Sequence, residues 1–248
     1  MCDNWRMAEE ARAGGGDVEF ERFEVLTFDC YGTLIDWEAG LVAALRRALP
    51  GLASLPDNEL LEAHARHEAA AERPPYRSYR QVLAECLRAI AAERSAAVGE
   101  DAVVAFAASV GEWPAFPDSR EALRRLGRRY RLGVITNCDA DLFAASNRRL
   151  GVELDWVVTA EQARAYKPSV RPFEVALEAI DLPRDRVLHV AQSLFHDHVP
   201  AKRLGLTTVW IDRRHGRPGL GATPPATATP DATFPSLAAF ADAAVGVD

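Results

Sequence analysis

The chain has 248 residues, of which 48% are hydrophobic, and a formal net charge of −7 at pH 7. This length suffices for one large α/β domain or for a core with a smaller cap, and the acidic balance argues against a nucleic-acid-binding protein. No apolar stretch is long enough to span a bilayer, and the first residues lack the apolar segment of a signal peptide, so no membrane association is expected.

The N-terminal part of the chain combines a segment of low apolar content with a short apolar run. Residues 1–20 include a Gly triplet and few apolar side chains, which predicts a flexible leader. The run Val25–Phe28 is typical of a buried strand, and it ends directly at Asp29. Gly32 and Thr33 follow at once, so this acid is expected at a strand-to-loop junction.

Residues 38–117 differ from the rest of the chain because they are rich in Ala, Leu, Glu and Arg and contain no strand-like run. Apolar residues recur at helical spacing in four stretches, LVAALRRALPGLASL, NELLEAHARHEAAAE, SYRQVLAECLRAIAAE and AVVAFAASVGEW. This block separates the first strand from all later ones. We therefore predict an inserted helical cap at 38–117 and a core formed by 21–37 and 118–248.

Strands and helices alternate after residue 130. The strand-like runs are RLGVITN (131–137), DWVVTA (155–160), RVLHVAQS (186–193) and LTTVWID (206–212). Continuous apolar strands that alternate with helices predict an α/β fold with a doubly wound parallel sheet. Asp118 is a candidate helix cap, and Gly151 and Gly205 are candidate helix ends. The stretch RPGLGATPPATATPDATFP predicts an irregular loop, and SLAAFADAA predicts a last helix.

Polar side chains that can carry chemistry are predicted to meet at the carboxyl ends of the strands, where open α/β sheets bind ligands. Each of them alone has an ordinary structural explanation as a turn former, a helix cap or a solvated side chain. Their combination at one sheet edge favours a catalytic site with Asp29 as the nucleophile. The set comprises Asp29, Thr136, Asn137, Lys167, Gln192, Ser193 and Asp197.

Four stretches that lie in order along the chain resemble the motifs of the haloacid dehalogenase-like hydrolase superfamily. They are FDCYGTL, VITN, YKPSVRPF and VAQSLFHDHVPAKRLGLTTVWIDR, and the similarity covers most of the chain outside residues 38–117. The resemblance implies a Rossmann-like core with a helical cap. It also implies that Asp29 forms a covalent intermediate with the substrate.

The chain departs from the pattern of the Mg²⁺-dependent phosphatases in this superfamily. Those enzymes carry an acid two residues after the nucleophile, where this chain has Tyr31, a phenol with an ordinary pKa of about 10. Gln192 stands where the fourth motif normally supplies a carboxylate for the metal ion. A carboxylate that attacks a phosphate dianion needs a cation to screen the charges, so both departures weaken the phosphatase interpretation.

The first motif, DxYGT, is similar to that of the L-2-haloacid dehalogenases, which implies a reaction without a metal or other cofactor. Asp29 would attack the halogen-bearing carbon, and water would then hydrolyse the ester to a 2-hydroxy acid. Two alternatives remain open at this point. One is a Mg²⁺-dependent phosphatase that acts on a small phosphate ester, and the other is a non-enzymatic protein that kept the fold.

The resemblance also implies a role for each matching residue. Lys167 orients the nucleophile and lowers its pKa, Asp197 helps to activate water, and Thr33 binds the Asp29 carboxylate or its loop. The substrate-binding candidates are Tyr31, which lines the apolar side of the pocket, and Thr136, Asn137, Phe173, Gln192 and Ser193. The cap arginine that would hold the halide has no clear match, and Arg66, Arg73 and Arg77 are left as alternatives.

The predicted partner is a small molecule, most simply a short haloacid, and neither nucleic acid nor a membrane. Dimers are common in the resembling family, so a homodimer is the assembly to test. Cys2, Cys30, Cys86 and Cys138 show no C-x-x-C spacing, which favours free thiols and a cytoplasmic location. The histidines near the motifs, His64, His67, His196 and His198, are expected as solvated or capping residues, and no metal site is predicted.

Overall fold

Six parallel strands form one sheet in the order β3-β2-β1-β4-β5-β6 in the computed structural model, which describes residues 18–214 and 226–247. The strands are β1 (Val25–Phe28), β2 (Arg131–Thr136), β3 (Trp156–Thr159), β4 (Val187–Ala191), β5 (Thr207–Ile211) and β6 (Ala232–Phe234). The order confirms the predicted α/β fold with a doubly wound parallel sheet. All four residues of β1 are buried, as a central strand covered on both faces requires.

The register of the central strands brings their carboxyl ends to the same level. Phe28, the last residue of β1, lies opposite Val134 of β2 and Val190 of β4. The residues that follow these three strands therefore emerge side by side at one edge of the sheet. This is the edge at which the sequence predicted the site.

Four helices follow β1 before the chain returns to the sheet. They are α1 (Trp37–Ala48), α2 (Asp57–Ala71), α3 (Tyr79–Glu93) and α4 (Glu100–Ala108). Asp36, the second acid after β1, is the N-cap of α1 and accepts a hydrogen bond from the Ala39 N–H. Ser78 starts α3 with a reciprocal capping box to Gln81.

The chain enters and leaves this helical block at one place. Ile35 and Ala115 form an isolated antiparallel bridge. Next to it, the Asp36 N–H donates to the Pro114 carbonyl over 2.8 Å, and the Phe116 N–H donates to the Leu34 carbonyl over 3.0 Å. The two connections between the block and the sheet are thus hydrogen-bonded to each other.

The remaining helices pack around the sheet. They are α5 (Ser119–Leu126), α6 (Ala140–Leu150), α7 (Ala160–Ala163), α8 (Arg171–Ile180), α9 (Val199–Arg203) and α10 (Leu237–Val245). Gly151 ends α6 with a φ of 64°, a left-handed conformation that glycine adopts without a steric penalty. The last helix lies where SLAAFADAA predicted it, which confirms that prediction.

Asp118 occupies the N-cap position of α5, but its side chain does not cap that helix. It accepts hydrogen bonds from the Leu237 and Ala238 N–H groups at the start of α10. It also forms an ion pair with Arg213. This acid therefore joins α5, α10 and the end of β5, a tertiary role that its position before a helix did not reveal.

The Pro- and Thr-rich stretch near the C-terminus and the N-terminal segment differ in part from their predictions. The predicted irregular tail contains β6, which pairs with β5 through Ala232 and Phe234, so that prediction was wrong for these residues. Residues 217–225 of the same stretch and residues 1–17 of the predicted leader lie outside the described residues. The described end of the leader is packed, because Phe20 contacts the ring of Phe240.

The structure also bears on membrane-spanning helices and on the cysteines. Within the two described ranges, no helix is long and apolar enough to cross a membrane. Cys30, Cys86 and Cys138 are buried free thiols, as predicted, and Cys2 lies outside the described residues.

Candidate active site

A cavity of about 80 Å³ lies at the carboxyl edge of the sheet, between the strand ends and the helical block. We call its two sides the strand-end wall and the helical wall. The strand-end wall consists of Asp29, Asn137, Lys167, Gln192, Ser193, His196 and Asp197. The helical wall consists of Trp37, Glu68, Glu72, Tyr79 and Trp113, and Tyr31 completes the lining.

Asp29 lies at the tip of the central strand and is almost fully buried. The Thr33 hydroxyl donates to Asp29 Oδ2 over 2.7 Å, and Thr33 Oγ1 itself accepts from the Gln192 N–H over 2.9 Å. The loop can turn this tightly because Gly32 has a φ of 97°, which a side chain would disfavour. The Thr33 hydroxyl, which the backbone after β4 holds in place, thereby fixes one oxygen of the candidate nucleophile.

Lys167 joins the two buried acids of the strand-end wall. Its Nζ lies 2.8 Å from Asp29 Oδ1 and 2.6 Å from Asp197 Oδ1. The third ammonium hydrogen is directed to the Ile135 carbonyl, 2.9 Å away. An ammonium group has three donors, so all three are used inside the protein.

A buried histidine that the sequence analysis did not single out supports Asp197. His189 Nε2 lies 3.2 Å from Asp197 Oδ1, and its Nδ1 lies 2.9 Å from the Thr27 hydroxyl. Because an ionised carboxylate only accepts, the Nε2–H group donates to Asp197, and the hydrogen bond between Nδ1 and Thr27 fixes the plane of the ring. The signal in the sequence was an imidazole within the otherwise apolar strand β4.

The pKa values of the two buried acids, Asp29 and Asp197, are shifted in opposite directions. Burial raises the pKa of the Asp29 carboxyl above its ordinary value, and the opposing effects of Lys167 and Thr33 do not cancel it. Burial acts in the same direction on Asp197, but Lys167 and His189 outweigh it and hold the pKa of Asp197 well below the usual range. Lys167 stays protonated because the two acids raise its pKa more than burial lowers it.

Asn137 lies at the cavity, but its side chain is engaged by the backbone of Lys167. Its Nδ2 donates to the Lys167 carbonyl over 3.0 Å, and its Oδ1 accepts from the Lys167 N–H over 2.7 Å. This double contact fixes the lysine. Thr136 is buried, its hydroxyl has no hydrogen-bond partner in the described part of the chain, and it does not line the cavity.

Of the other four substrate-binding candidates, three line the cavity and one does not. Gln192, Ser193 and Tyr31 line the cavity, and the Tyr31 hydroxyl lies 2.9 Å from Ser146 Oγ. Phe173 does not reach it, because its side chain is fully buried and packs edge-on against His189 at 5.0 Å between ring centres. The structure thus assigns Phe173 to the core.

The helical wall contributes two acids that the sequence analysis passed over. Glu68 lies in the last turn of α2 and Glu72, four residues later, is its C-cap, so the two acids face the same way. The Tyr79 hydroxyl donates to Glu68 Oε1 over 2.9 Å. The Glu72 side chain has no hydrogen bond or ion pair among the described residues. Their helical spacing was visible in the sequence, but the face that they occupy was not.

None of the three candidate arginines lines this cavity. Arg66 donates to Glu93, and Arg77 donates to Glu85, in both cases at the protein surface. Arg73 lines a neighbouring space instead. Among the described residues that line the cavity, Lys167 is the only lysine or arginine.

The histidines differ from expectation in their burial. His64 and His198 are fully buried, so the prediction of solvated or capping residues was wrong for them. His198 Nε2 lies 3.0 Å from the Ala191 carbonyl, and His64 packs against the Trp37 ring. His196 lines the cavity, with Nδ1 3.1 Å from Ser193 Oγ. In the part of the chain that the structure describes, no three His, Cys, Asp or Glu side chains are grouped to hold a metal ion.

Comparison with known proteins identifies the family. A model of the haloacid dehalogenase-like hydrolases matches residues 23–195. The chain is 28% identical to haloacetate dehalogenase H-2 of Moraxella sp. (strain B) over 199 residues, which is 78% of this chain and 87% of the relative. It is also 28% identical to 5-amino-6-(5-phospho-D-ribitylamino)uracil phosphatase of Escherichia coli (strain K12), with 79% and 86% covered.

A solved structure agrees with this assignment at the level of the fold. The L-2-haloacid dehalogenase of Xanthobacter autotrophicus superposes with a TM-score of 0.76 at 20% identity and covers 88% of this chain and 97% of its own. The family match spans well over half of the chain, and the sheet carries the motif residues at one edge. The chain belongs to the haloacid dehalogenase-like hydrolase family.

Proposed function

We propose that this protein is a 2-haloacid dehalogenase that releases halide and a 2-hydroxy acid through an ester on Asp29. The observation that carries the proposal is the Lys167 ammonium, which lies within 2.8 Å of Asp29 and 2.6 Å of Asp197. A single protein cation therefore bridges the two acids and reduces the repulsion between them. In this proposal residues 38–117 are the cap, and 21–37 with 118–248 are the core.

The first step is a displacement at carbon. Lys167 and Thr33 hold the two oxygens of Asp29, so the plane of the carboxylate is fixed before substrate binds. An Asp29 oxygen donates an electron pair to C2 of the substrate, and halide leaves with the pair of the carbon–halogen bond. A halide ion is stable without a proton, so this step needs no general acid.

The second step hydrolyses the aspartyl ester. Water adds to the carboxyl carbon of Asp29, the ester bond breaks, and the 2-hydroxy acid leaves with the original Asp29 oxygen. Asp197 Oδ2 is buried at the cavity and has no hydrogen-bond partner within the described ranges, so it is available to accept from that water. The regenerated carboxylate carries one oxygen from the solvent.

The arrangement of charges disfavours the phosphatase alternative and the use of Mg²⁺. Hard divalent cations prefer carboxylate and carbonyl oxygens, but Lys167 already bridges Asp29 and Asp197. The neighbouring positions hold Tyr31 and Gln192, which add no negative charge. The residues present therefore do not fit a magnesium site, and no step of the proposed reaction uses one.

The test is a panel of 2-chloro- and 2-bromoalkanoates and small phosphate esters, each with and without EDTA. We expect halide release that EDTA does not change, and loss of all turnover in Asp29→Asn. The exposed Asp185→Asn is the matched control and should behave like wild type. A single turnover in ¹⁸O-labelled water should place the label in the Asp29 side chain.

Two outcomes would contradict the proposal. Phosphate ester turnover that EDTA abolishes, without halide release, would establish the phosphatase. Absence of turnover on the whole panel, with unchanged ligand binding in Asp29→Asn, would favour a non-enzymatic protein. The homodimer and the cytoplasmic location stay predictions, to be checked by light scattering and by fractionation of cells.

A further inference from the structure

A larger chamber adjoins the catalytic cavity near the end of α2. It has a volume of about 450 Å³ and shares Glu68, Glu72, Lys167 and His196 with the cavity. Its other lining residues include Tyr166, Phe195, Arg73 and Arg164. A substrate bound at Asp29 with a short chain beyond C2 would therefore meet the two glutamates, which line both spaces.

The charges around the cavity are unbalanced. Asp29, Asp197, Glu68 and Glu72 all line it, and Lys167 is the only lysine or arginine among its described lining residues. Arg73 and Arg164 line the adjoining chamber and not the cavity. All three donors of that lysine are directed to Asp29, Asp197 and the Ile135 carbonyl. The lysine therefore has no hydrogen bond left for an anionic group at the far end of a substrate.

We propose that Glu68 and Glu72 select 2-haloacids whose far end carries a hydrogen-bond donor, such as a carboxamide, and reject those that end in a second carboxylate. This inference rests on the proposed function, since it concerns the substrate of the same site. The helical wall then determines which substrate is preferred, and the strand-end wall carries out the reaction at C2.

The hydrogen bonding of the two acids supports a donor as the preferred partner. Glu68 is held in place by the Tyr79 hydroxyl and keeps lone pairs for a further donor. Burial and the nearby charge of Glu68 raise the pKa of Glu72 well above its ordinary value. The carboxyl oxygens of Glu68 and Glu72 line the same cavity and offer lone pairs to the two N–H donors of a primary amide. A carboxylate would instead face a like charge.

The experiment compares two substrates of nearly equal shape, 4-amino-2-chloro-4-oxobutanoate and 2-chlorosuccinate. They share the reacting carbon and its carboxylate and differ only in a terminal amide against a terminal carboxylate. We expect wild type to favour the amide by at least about tenfold in kcat/KM, because like charges brought together at a binding site cost several kcal/mol. Glu68→Gln, Glu72→Gln and the double variant should lower this ratio toward one.

The matched control is Glu62→Gln, which removes the same charge from an exposed position on the same helix. It should leave the ratio unchanged. A wild-type preference for 2-chlorosuccinate, or a ratio that the Gln variants do not alter, would overturn the proposal.

Binding of the two products separates this inference from the proposed reaction. Calorimetry with 4-amino-2-hydroxy-4-oxobutanoate and malate measures selection without any bond breaking. If the amide binds more tightly and Glu72→Gln removes the difference while no halide is released from any substrate, the reaction is wrong and the selection stands. If halide is released from both chloroacids but neither product discriminates, the reaction stands and the selection is wrong.

Discussion

The two walls of the cavity differ in how completely their polar groups are paired. On the strand-end wall, Lys167 uses all its donors, and Asp29 and Asp197 each receive hydrogen bonds from two side chains. On the helical wall, the Glu72 carboxyl group has no hydrogen-bond or ion-pair partner in the described residues. A fully hydrogen-bonded network has one favoured geometry, which suits a side chain that must attack from a fixed position. An unpaired carboxyl group can instead form its hydrogen bonds with the substrate.

The contrast suggests that chemistry and selection are separate in this chain. Changes on the strand-end wall should reduce turnover for every substrate. Changes on the helical wall should alter which substrate is preferred. The experiments below test this separation, beginning with the largest expected effect.

Lys167→Met should have the largest effect, because it leaves two carboxylates buried without their shared cation. Removing one member of a buried ion pair costs about 3–5 kcal/mol of unfolding free energy. The loss of orientation at Asp29 should reduce kcat by about 100-fold or more. Urea denaturation and halide release measure the two effects.

Lys202→Met is the control for this change, since Lys202 forms a half-exposed ion pair with Asp231 and lies outside the cavity. It should lose little stability and no activity. Equal losses in the two variants would mean that the buried network has no special role.

The pH dependence of turnover should reflect the raised pKa of Asp29. In the proposed reaction Asp29 attacks as a carboxylate, so activity should be lost as the pH falls and the group is protonated. Because burial raises the pKa above its ordinary 3.8, the loss should begin at a higher pH than for a solvated Asp. Below that pKa, kcat/KM should fall by about tenfold per pH unit. An acid limb at or below the ordinary value, in protein that circular dichroism shows to be folded, would contradict this prediction.

His189→Leu should have an intermediate effect, because it removes the donor to Asp197 without touching the cavity. A hydrogen bond to a charged group contributes about 1.5–3 kcal/mol, so kcat should fall by about tenfold or more. KM should stay unchanged, and His189→Gln should recover part of kcat by restoring a donor. A rise in KM with constant kcat would show that His189 does not position Asp197.

Arg66→Ala should have the smallest effect. Arg66 is paired with Glu93 at the surface and does not reach the cavity, and such pairs contribute about 0–1 kcal/mol. Halide release from chloro- and bromoacids should remain at the wild-type rate. A selective loss with one halide would instead identify Arg66 as a ligand of the leaving group.

Most of the sheet could be predicted from the sequence, because β1, β2, β4 and β5 are apolar runs with clear ends. The strand β6 could not, since its three residues, Ala232–Phe234, lie in a Pro- and Thr-rich stretch. They adopt an extended conformation through pairing with β5, which is a tertiary effect. Asp118 was missed as a tertiary link for the same reason, because its partners lie over 90 residues away.

The candidate site could be predicted only in part. The meeting of Asp29, Lys167 and Asp197 follows from the topology of a parallel sheet, and the structure places them together. The saturation of Lys167 by the Ile135 carbonyl depends on backbone geometry that no motif encodes. Likewise, the orientation of Glu68 and Glu72 depends on how α2 packs, and their i, i+4 spacing alone does not define it.

The paired connections at Ile35 and Ala115 have a consequence for how such enzymes diversify. Because the segments at Ile35 and Ala115 are hydrogen-bonded to each other, the helical block between them begins and ends at the same place on the core. A different set of helices could be spliced in at this junction without moving Asp29, which emerges from the strand before it. The catalytic machinery could thus be retained while whole substrate repertoires are exchanged.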